Sequence, residues 1–336
     1  MSLSRPRTLF LFPGHGSQWP GMAADLCATA PAFAEAIARC DAASERVAGL
    51  RVSEVIAAAP ERSRLGEIDV VQIALVAIQL ALATEWRARG VEPDGVLGTS
   101  LGEITAAAVA GAIEWEDALE LAAERARLLA ALKPEGGAVV VNVSEADAAE
   151  LLRGLEAEAG ISGLNGPGTT AFSGTHAAMA ELLRRAAERG VYAARIKVEY
   201  PAHSPLLDPL VAPLRERLRG LAPKPSALPL YSTVSGAREP GEALGADYWA
   251  SNLRAPVRVA PALASALRDG FEVILECTPH PIFKKPVLDA LALAGSTATY
   301  QGTLRRRQPG EECFAEASAV LRARGVPVIV FEERRS

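Results

Sequence analysis

The chain has 336 residues, of which 49% are hydrophobic and 22% charged, with a formal net charge of −5. That is enough for one large domain or two modest ones with a real core, and the acidic balance excludes a global basic field that would hold nucleic acid. Aromatics are only 5%, and with alanine and leucine abundant this favours a helix-rich α/β protein over an all-β one.

The N-terminal apolar run is too short for a signal-peptide core or a membrane span and reads as a first buried strand, Thr8 to Phe12. It ends in the turn Pro13-Gly14-His15-Gly16. A helix from about Val70 to Arg89 carries Val71, Ala74, Leu75, Ile78, Leu82 and Trp86 at helical spacing, and Gly90 stops it. A short strand, Gly95 to Gly98, leads at once into a helix from Leu101 to Ala110. A second helix follows, Trp115 to Leu132. Apolar runs alternating with amphipathic helices predict parallel strands joined by helices.

From Lys133 the character changes. After the break Pro134-Glu135-Gly136-Gly137, the pattern predicts strand Ala138–Val143, helix Glu145–Leu155, strands Gly160–Asn165 and Thr170–Ser173, helix Ala177–Arg189 and strand Tyr192–Val198. This β-α-β-β-α-β order is that of a ferredoxin-like unit. The expected organisation is a small subdomain, residues 133–199, inserted into a larger one made of 1–132 and 200–336. Beyond it are expected helix Pro205–Leu218, strand Leu230–Val234, helix Ala260–Asp269 and strand Glu272–Glu276.

The four cysteines, Cys27, Cys40, Cys277 and Cys313, form no C-x-x-C pair and none lies at ligand spacing from a histidine. Reduced thiols of a cytoplasmic protein are expected, and no metal site.

Gly98-Thr99-Ser100-Leu101-Gly102 is a G-x-S-x-G pentapeptide. The bare pattern arises readily by chance. Its setting, a strand before and an alanine-rich helix after, is the one a nucleophile elbow requires. Such a turn lifts the serine Oγ clear of the backbone at a helix N-terminus, where N–H groups stabilise negative charge. A serine nucleophile needs a base. Of the four histidines, His176 reads as a helix cap or a surface residue; the pattern alone does not choose among His15, His203 and His280. Arg305-Arg306-Arg307 reads as a solvated loop or a contact to an acidic partner.

Phe12–Trp19, Ile68–Gln72, Gly98–Glu103, Asn165-Gly166-Pro167, Tyr200–Ser204, Tyr248-Trp249 and Pro279-His280-Pro281, in that order, span nearly the whole chain. In these segments it resembles the acyltransferase domains of modular polyketide synthases and, more distantly, the malonyl-CoA:acyl-carrier-protein transacylases of fatty acid synthesis. The resemblance implies an α/β-hydrolase-like subdomain with a parallel-sheet core beside the small ferredoxin-like one. It also implies a ping-pong acyl transfer from an acyl thioester to the phosphopantetheine thiol of an acyl carrier protein, by a monomer without cofactor.

In that family Ser100 would be the nucleophile and His203 its acid/base, oriented by a backbone carbonyl in the segment near Asp269-Gly270. The N–H groups of His15 and Leu101 would form the oxyanion hole. Helix pattern alone makes Arg125 a surface residue; the resemblance makes it the partner of a malonyl-type carboxylate. It likewise places Gln18, Thr99, Asn165, Tyr200 and Ala202 along the substrate cleft. His15 stands where the family usually has Gln, and Thr99 where it has His. Tyr200–Ser204 is closer to the methylmalonyl-type than to the malonyl-type motif, Asp69–Gln72 leans the same way, and Leu101 leans towards malonyl. Two other readings accompany this one: transfer of a starter or aminoacyl group between two carrier proteins, and an editing thioester hydrolase. With no ketosynthase or carrier sequence attached, a free-standing enzyme acting in trans is expected. Arg184, Arg185, Lys284 and Lys285 are the candidate carrier-docking cations.

Overall fold

The structure is a computed structural model that describes residues 5–132, 135–166, 168–196, 198 and 200–329. Several expected boundary residues, Lys133, Pro134, Lys197 and Glu199, and Pro167 of the quoted motif, lie outside the described residues. The described strands are β1 Thr8–Phe12, β2 Gly95–Gly98, β3 Gly137–Val141, β4 Ala159–Gly166, β5 Thr169–Gly174, β6 Ala193–Ile196, β7 Leu230–Tyr231, β8 Arg238–Glu239, β9 Val273–Glu276 and β10 Thr299–Gly302.

They form two sheets. The larger has the order β10-β9-β1-β2-β7-β8 and is parallel except for the edge pair β7–β8. β1 is buried at every position, the continuous apolar run of a strand covered on both faces. The smaller sheet is antiparallel with order β4-β5-β3-β6. Helices Glu145–Leu152 and His176–Glu188 pack over it, which is the ferredoxin-like arrangement.

Helix Ile68–Ala88 is long and apolar enough to cross a membrane by composition. Its faces are instead taken by helices Pro31–Ala48, Gly102–Val109 and Trp115–Leu132, so it is a core helix. At its end Trp86 donates from Nε1 to Thr303 Oγ1 (2.9 Å) and meets the ring of Phe314 at 4.7 Å. Each such buried aromatic contributes about 2 kcal/mol. Arg89, salt-bridged to buried Glu85, reaches Glu311 and lies over Phe314. These contacts dock helix Gly310–Ala323, which the sequence reading had not assigned, nor had it assigned Pro31–Ala48, Lys284–Leu293 or β10. All four cysteines are free.

Most expected elements shift by a few residues at their ends. Two differ for identifiable reasons. The strand expected over 230–234 stops at Tyr231: Ser232 Oγ accepts the N–H groups of Val234 and Ser235, the Gly236 N–H returns to Ser232 O, and the chain turns into β8. The helix expected from Pro205 begins as a 3-10 turn, Pro205–Leu207, capped by Ser204, before the α-helix Asp208–Arg217. Arg184 is paired with Glu181 and Glu188, Arg185 with Glu181, and Lys285 with Asp289, so those three cations carry local counter-charges.

Candidate active site

Parallel pairing of β1 with β2 puts Phe12 beside Gly98, so the loops that follow the two strands leave the same sheet edge side by side. Crevices at the carboxyl ends of parallel strands are where such sheets bind ligands. Ser100 sits in the second loop with φ +52, a left-handed conformation that costs a non-glycine residue energy. The helix Gly102–Val109 starts two residues later. The flanking glycines are sterically required. A Cβ on Gly98 would lie 2.3 Å from Glu103 Cα, and one on Gly102 would lie 1.8 Å from the Phe12 carbonyl oxygen.

Of the three histidines left open by pattern, His203 reaches the serine. Its Nε2 lies 2.8 Å from Ser100 Oγ. It too has positive φ, +56, in a turn held by Ser204 Oγ donating to Pro201 O (2.7 Å). His203 Nδ1 lies 2.8 Å from the carbonyl oxygen of Ala255. A carbonyl only accepts, so Nδ1 carries the proton and Nε2 presents its lone pair to the serine hydroxyl. The orienting carbonyl is therefore Ala255, and not the segment near Asp269-Gly270. That segment precedes β9 and lies at the opposite end of the parallel sheet, where Asp269 Oδ2 accepts from Tyr231 OH (2.5 Å).

Arg125 is buried, only 3% exposed, and is no surface residue. Its guanidinium donates to Ser100 Oγ (3.0 Å) and to Asn252 Oδ1 (2.6 Å), and Asn252 Nδ2 donates to the Ser100 carbonyl (3.2 Å). Among the described residues its Nε has no partner and no carboxylate forms a salt bridge with it. Burial pushes its pKa down, with Tyr200 and Glu103 acting in the opposite direction. Asn252 was missed from sequence. It lies one helical turn after Tyr248 on helix Ala246–Arg254, and that spacing was the available signal.

The other expected residues separate. The N–H groups of His15 and Leu101 donate to nothing among the described residues. His15 Nδ1 lies 3.3 Å from Tyr200 OH, which gathers Tyr200 into the site. Thr99 is buried and its Oγ1 accepts from the Gly14 N–H (3.3 Å), tying the two strand-end loops together. Gln18 Oε1 accepts from the Gly16 N–H (2.8 Å). Ala202 O accepts from Ser173 Oγ, which anchors the His203 turn to β5. Asn165 is not joined to this set. It lines a separate cavity of about 410 Å³ with Gly166, Ala264, Leu267, Arg268 and Leu293.

A second buried group was not singled out from sequence. Glu103, in the first turn after the elbow, accepts from Thr233 N (2.9 Å), Thr233 Oγ1 and Tyr248 OH. Burial raises its pKa to about 7 against these hydrogen bonds. It fixes helix Gly102–Val109 to the β7 end and to the helix that carries Asn252.

Burial first, and Arg125 second, drive the His203 pKa down to about 3. The neutral base form then persists through the whole physiological range. Formation of the Ser100 ester is expected to be insensitive to pH from about 8 down to about 5, without the inflection near 6.5 of an ordinary histidine. In Arg125→Met the lost positive charge favours the imidazolium, so the acid limb moves to higher pH. A single-turnover pH–rate profile of both proteins checks the level and the sign.

The profile of the family described as acyl transferase domain matches residues 9–328. Polyketide synthase GfsB of Streptomyces halstedii is 38% identical over 325 residues, 96% of this chain and 6% of that protein. Erythronolide synthase EryA2 of Saccharopolyspora erythraea is 37% identical over 322 residues, 95% of this chain and 9% of that protein. The chain therefore spans less than a tenth of either relative. Among solved structures, the acyltransferase domain from module 8 of the salinomycin polyketide synthase superposes with a TM-score of 0.92 at 38% identity, covering 96% of this chain and 76% of its own. Malonyl-CoA:acyl carrier protein transacylase (FabD) from Xanthomonas oryzae pv. oryzae gives 0.81 at 25%, with 96% and 99% covered. The likeness extends over both strand-end loops and the turn that brings the imidazole to the serine, and the chain belongs to the acyl transferase domain family, as an acyltransferase.

Proposed function

We propose that the protein moves a carboxylated acyl group, of malonyl or methylmalonyl type, from a coenzyme A thioester through an ester on Ser100 to the phosphopantetheine thiol of an acyl carrier protein in polyketide synthesis. The observation that carries the donor class is Arg125: a buried guanidinium beside the Ser100 hydroxyl that forms no salt bridge among the described residues. An unpaired buried charge is costly, and a substrate carboxylate supplies the missing partner in the planar, two-bond geometry that guanidinium favours. The likeness to polyketide synthase GfsB and to an acyltransferase domain of the salinomycin polyketide synthase supports the setting.

The chemistry follows from the hydrogen bonds. His203 Nε2 takes the Ser100 Oγ proton as Oγ attacks the thioester carbonyl. The resulting oxyanion meets the N–H groups of His15 and Leu101, a donor pair of which each member is worth about 3 kcal/mol of barrier. Collapse expels the thiolate, which takes the proton from His203. A carrier thiol then enters, gives its proton to the same nitrogen and attacks the ester; collapse breaks the acyl–Oγ bond, and Ser100 Oγ takes the proton back from His203.

Intact-protein mass measurement after brief exposure to malonyl-CoA tests the donor class. Arg125→Ala should slow malonyl loading at least about thirtyfold, the cost of leaving one member of a buried charge pair alone, while acetyl loading does not fall. Unchanged malonyl loading would overturn the assignment. A wild-type protein that takes no acyl group from any coenzyme A thioester would point to a carrier-bound donor.

A further inference from the structure

The loop after β1 is held from both sides. From inside the core, Gln79 Nε2 donates to Pro13 O (2.6 Å), and Thr105 Oγ1 in turn donates to Gln79 Oε1 (2.8 Å). The Gly14 N–H goes to Thr99 and the Gly16 N–H to Gln18. On the outer side, Trp19 Nε1 donates to Pro279 O (3.1 Å). The carbonyls of Gly16 and Gln18 both accept from one nitrogen of Arg306, at 3.1 and 3.4 Å. Between the paired N–H groups of Gly14 and Gly16, the His15 N–H donates to nothing among the described residues, as do those of Ser17, Gln18 and Trp19 further along the loop.

Arg306 is itself held in place. Glu316, on helix Gly310–Ala323, accepts from Arg305 Nη1 (2.7 Å) and from Gln308 Nε2 (2.8 Å), pinning both ends of the turn. Arg307 lies between them at φ +62, and the Arg306 N–H donates to His280 Nδ1 (3.3 Å). A tethered, strained turn is a poor design for a solvated basic patch and a good one for aiming a single side chain.

We infer that Arg306 is a positioning residue for acyl transfer, setting the His15 N–H through the carbonyls of Gly16 and Gln18. This rests on the reading of that N–H as an oxyanion donor. A donor displaced by a fraction of an ångström from the developing charge loses most of its effect, whereas substrate affinity, set elsewhere, does not change. The rival role for the same cation, contact with an acidic carrier protein, affects carrier affinity instead.

The test uses the full chain and two acyl sources: p-nitrophenyl acetate, which needs no carboxylate recognition, and malonyl-CoA. Pre-steady-state p-nitrophenol release by Arg306→Ala should be slower by about ten- to a hundredfold at saturation, at a half-saturating concentration changed less than about twofold. Arg306→Lys should recover part of the rate. Arg307→Asn, which removes a neighbouring charge and tolerates the left-handed conformation, should match the wild type, as should the melting temperature of all three. An unaltered burst in Arg306→Ala, or an equal loss in Arg307→Asn, would overturn the inference. So would a defect confined to the carrier-protein KM. A burst that survives Ser100→Ala would instead overturn the Ser100 reading and this inference with it. Failure of malonyl-CoA alone would touch only the donor class.

Discussion

Ser100→Ala is expected to abolish the acyl-enzyme and to lower acyl transfer by about 10⁴-fold or more, with the fold intact. The size follows from how completely the neighbouring groups converge on one oxygen. His203 Nε2 at 2.8 Å and Arg125 at 3.0 Å both address Oγ. Groups that act as a unit lose nearly everything when the nucleophile goes. His203→Ala should come close to the same loss, since the hydroxyl would keep its proton. The strain at φ +52 stays in the variant, since alanine does not relieve a left-handed backbone, so the unfolding free energy should change by less than about 1 kcal/mol. Intact-mass trapping with steady-state rates checks the first claim and urea titration the second. Residual transfer above about a tenth of wild type would place the nucleophile elsewhere.

Gly102→Ala is expected to destabilise the protein by more than about 4 kcal/mol, and the variant should be recovered unfolded or not at all. A Cβ there would sit 1.8 Å from Phe12 O, 2.5 Å from Phe12 C and 2.7 Å from Pro13 O. All three are backbone atoms, and Phe12 is the last residue of the strand at the heart of the larger sheet, so no side chain can swing aside. Gly66→Ala is the control, because nothing lies within 4 Å of its added Cβ. Soluble yield and far-ultraviolet circular dichroism should separate the two variants, with Gly66→Ala matching the wild type to within what helix or turn propensity accounts for.

The elbow was legible because its requirements are local: a short buried strand, two obligate glycines and a helix all fall within a dozen residues. The base was not selectable by pattern. His203 meets Ser100 across 103 positions of chain, and only the resemblance favoured it over His15 and His280. What orients the base left no mark at all. The partner of Nδ1 is a main-chain oxygen, which any residue at position 255 supplies. Arg125 illustrates the reverse difficulty. Among Glu124 and Arg127 it reads as a charged helix face, yet it points inward while Arg127 pairs with Glu124 outside. Thr99, set beside the nucleophile in sequence, spends its hydroxyl on Gly14. The terminal helix Gly310–Ala323 was missed because its docking depends on Trp86 and Arg89, more than 200 residues earlier.

Beside the carbonyl that sets the imidazole, Val257 is paired with β4: the Leu164 N–H donates to Val257 O (2.8 Å) and the Val257 N–H to Ser162 O (2.9 Å). The smaller sheet is thereby geared to the proton relay two residues away. A shift of β4 would be carried through these two bonds to the 255–257 segment and so to the Nδ1 contact, which makes the alignment of the base depend on the smaller sheet as well as on the larger one.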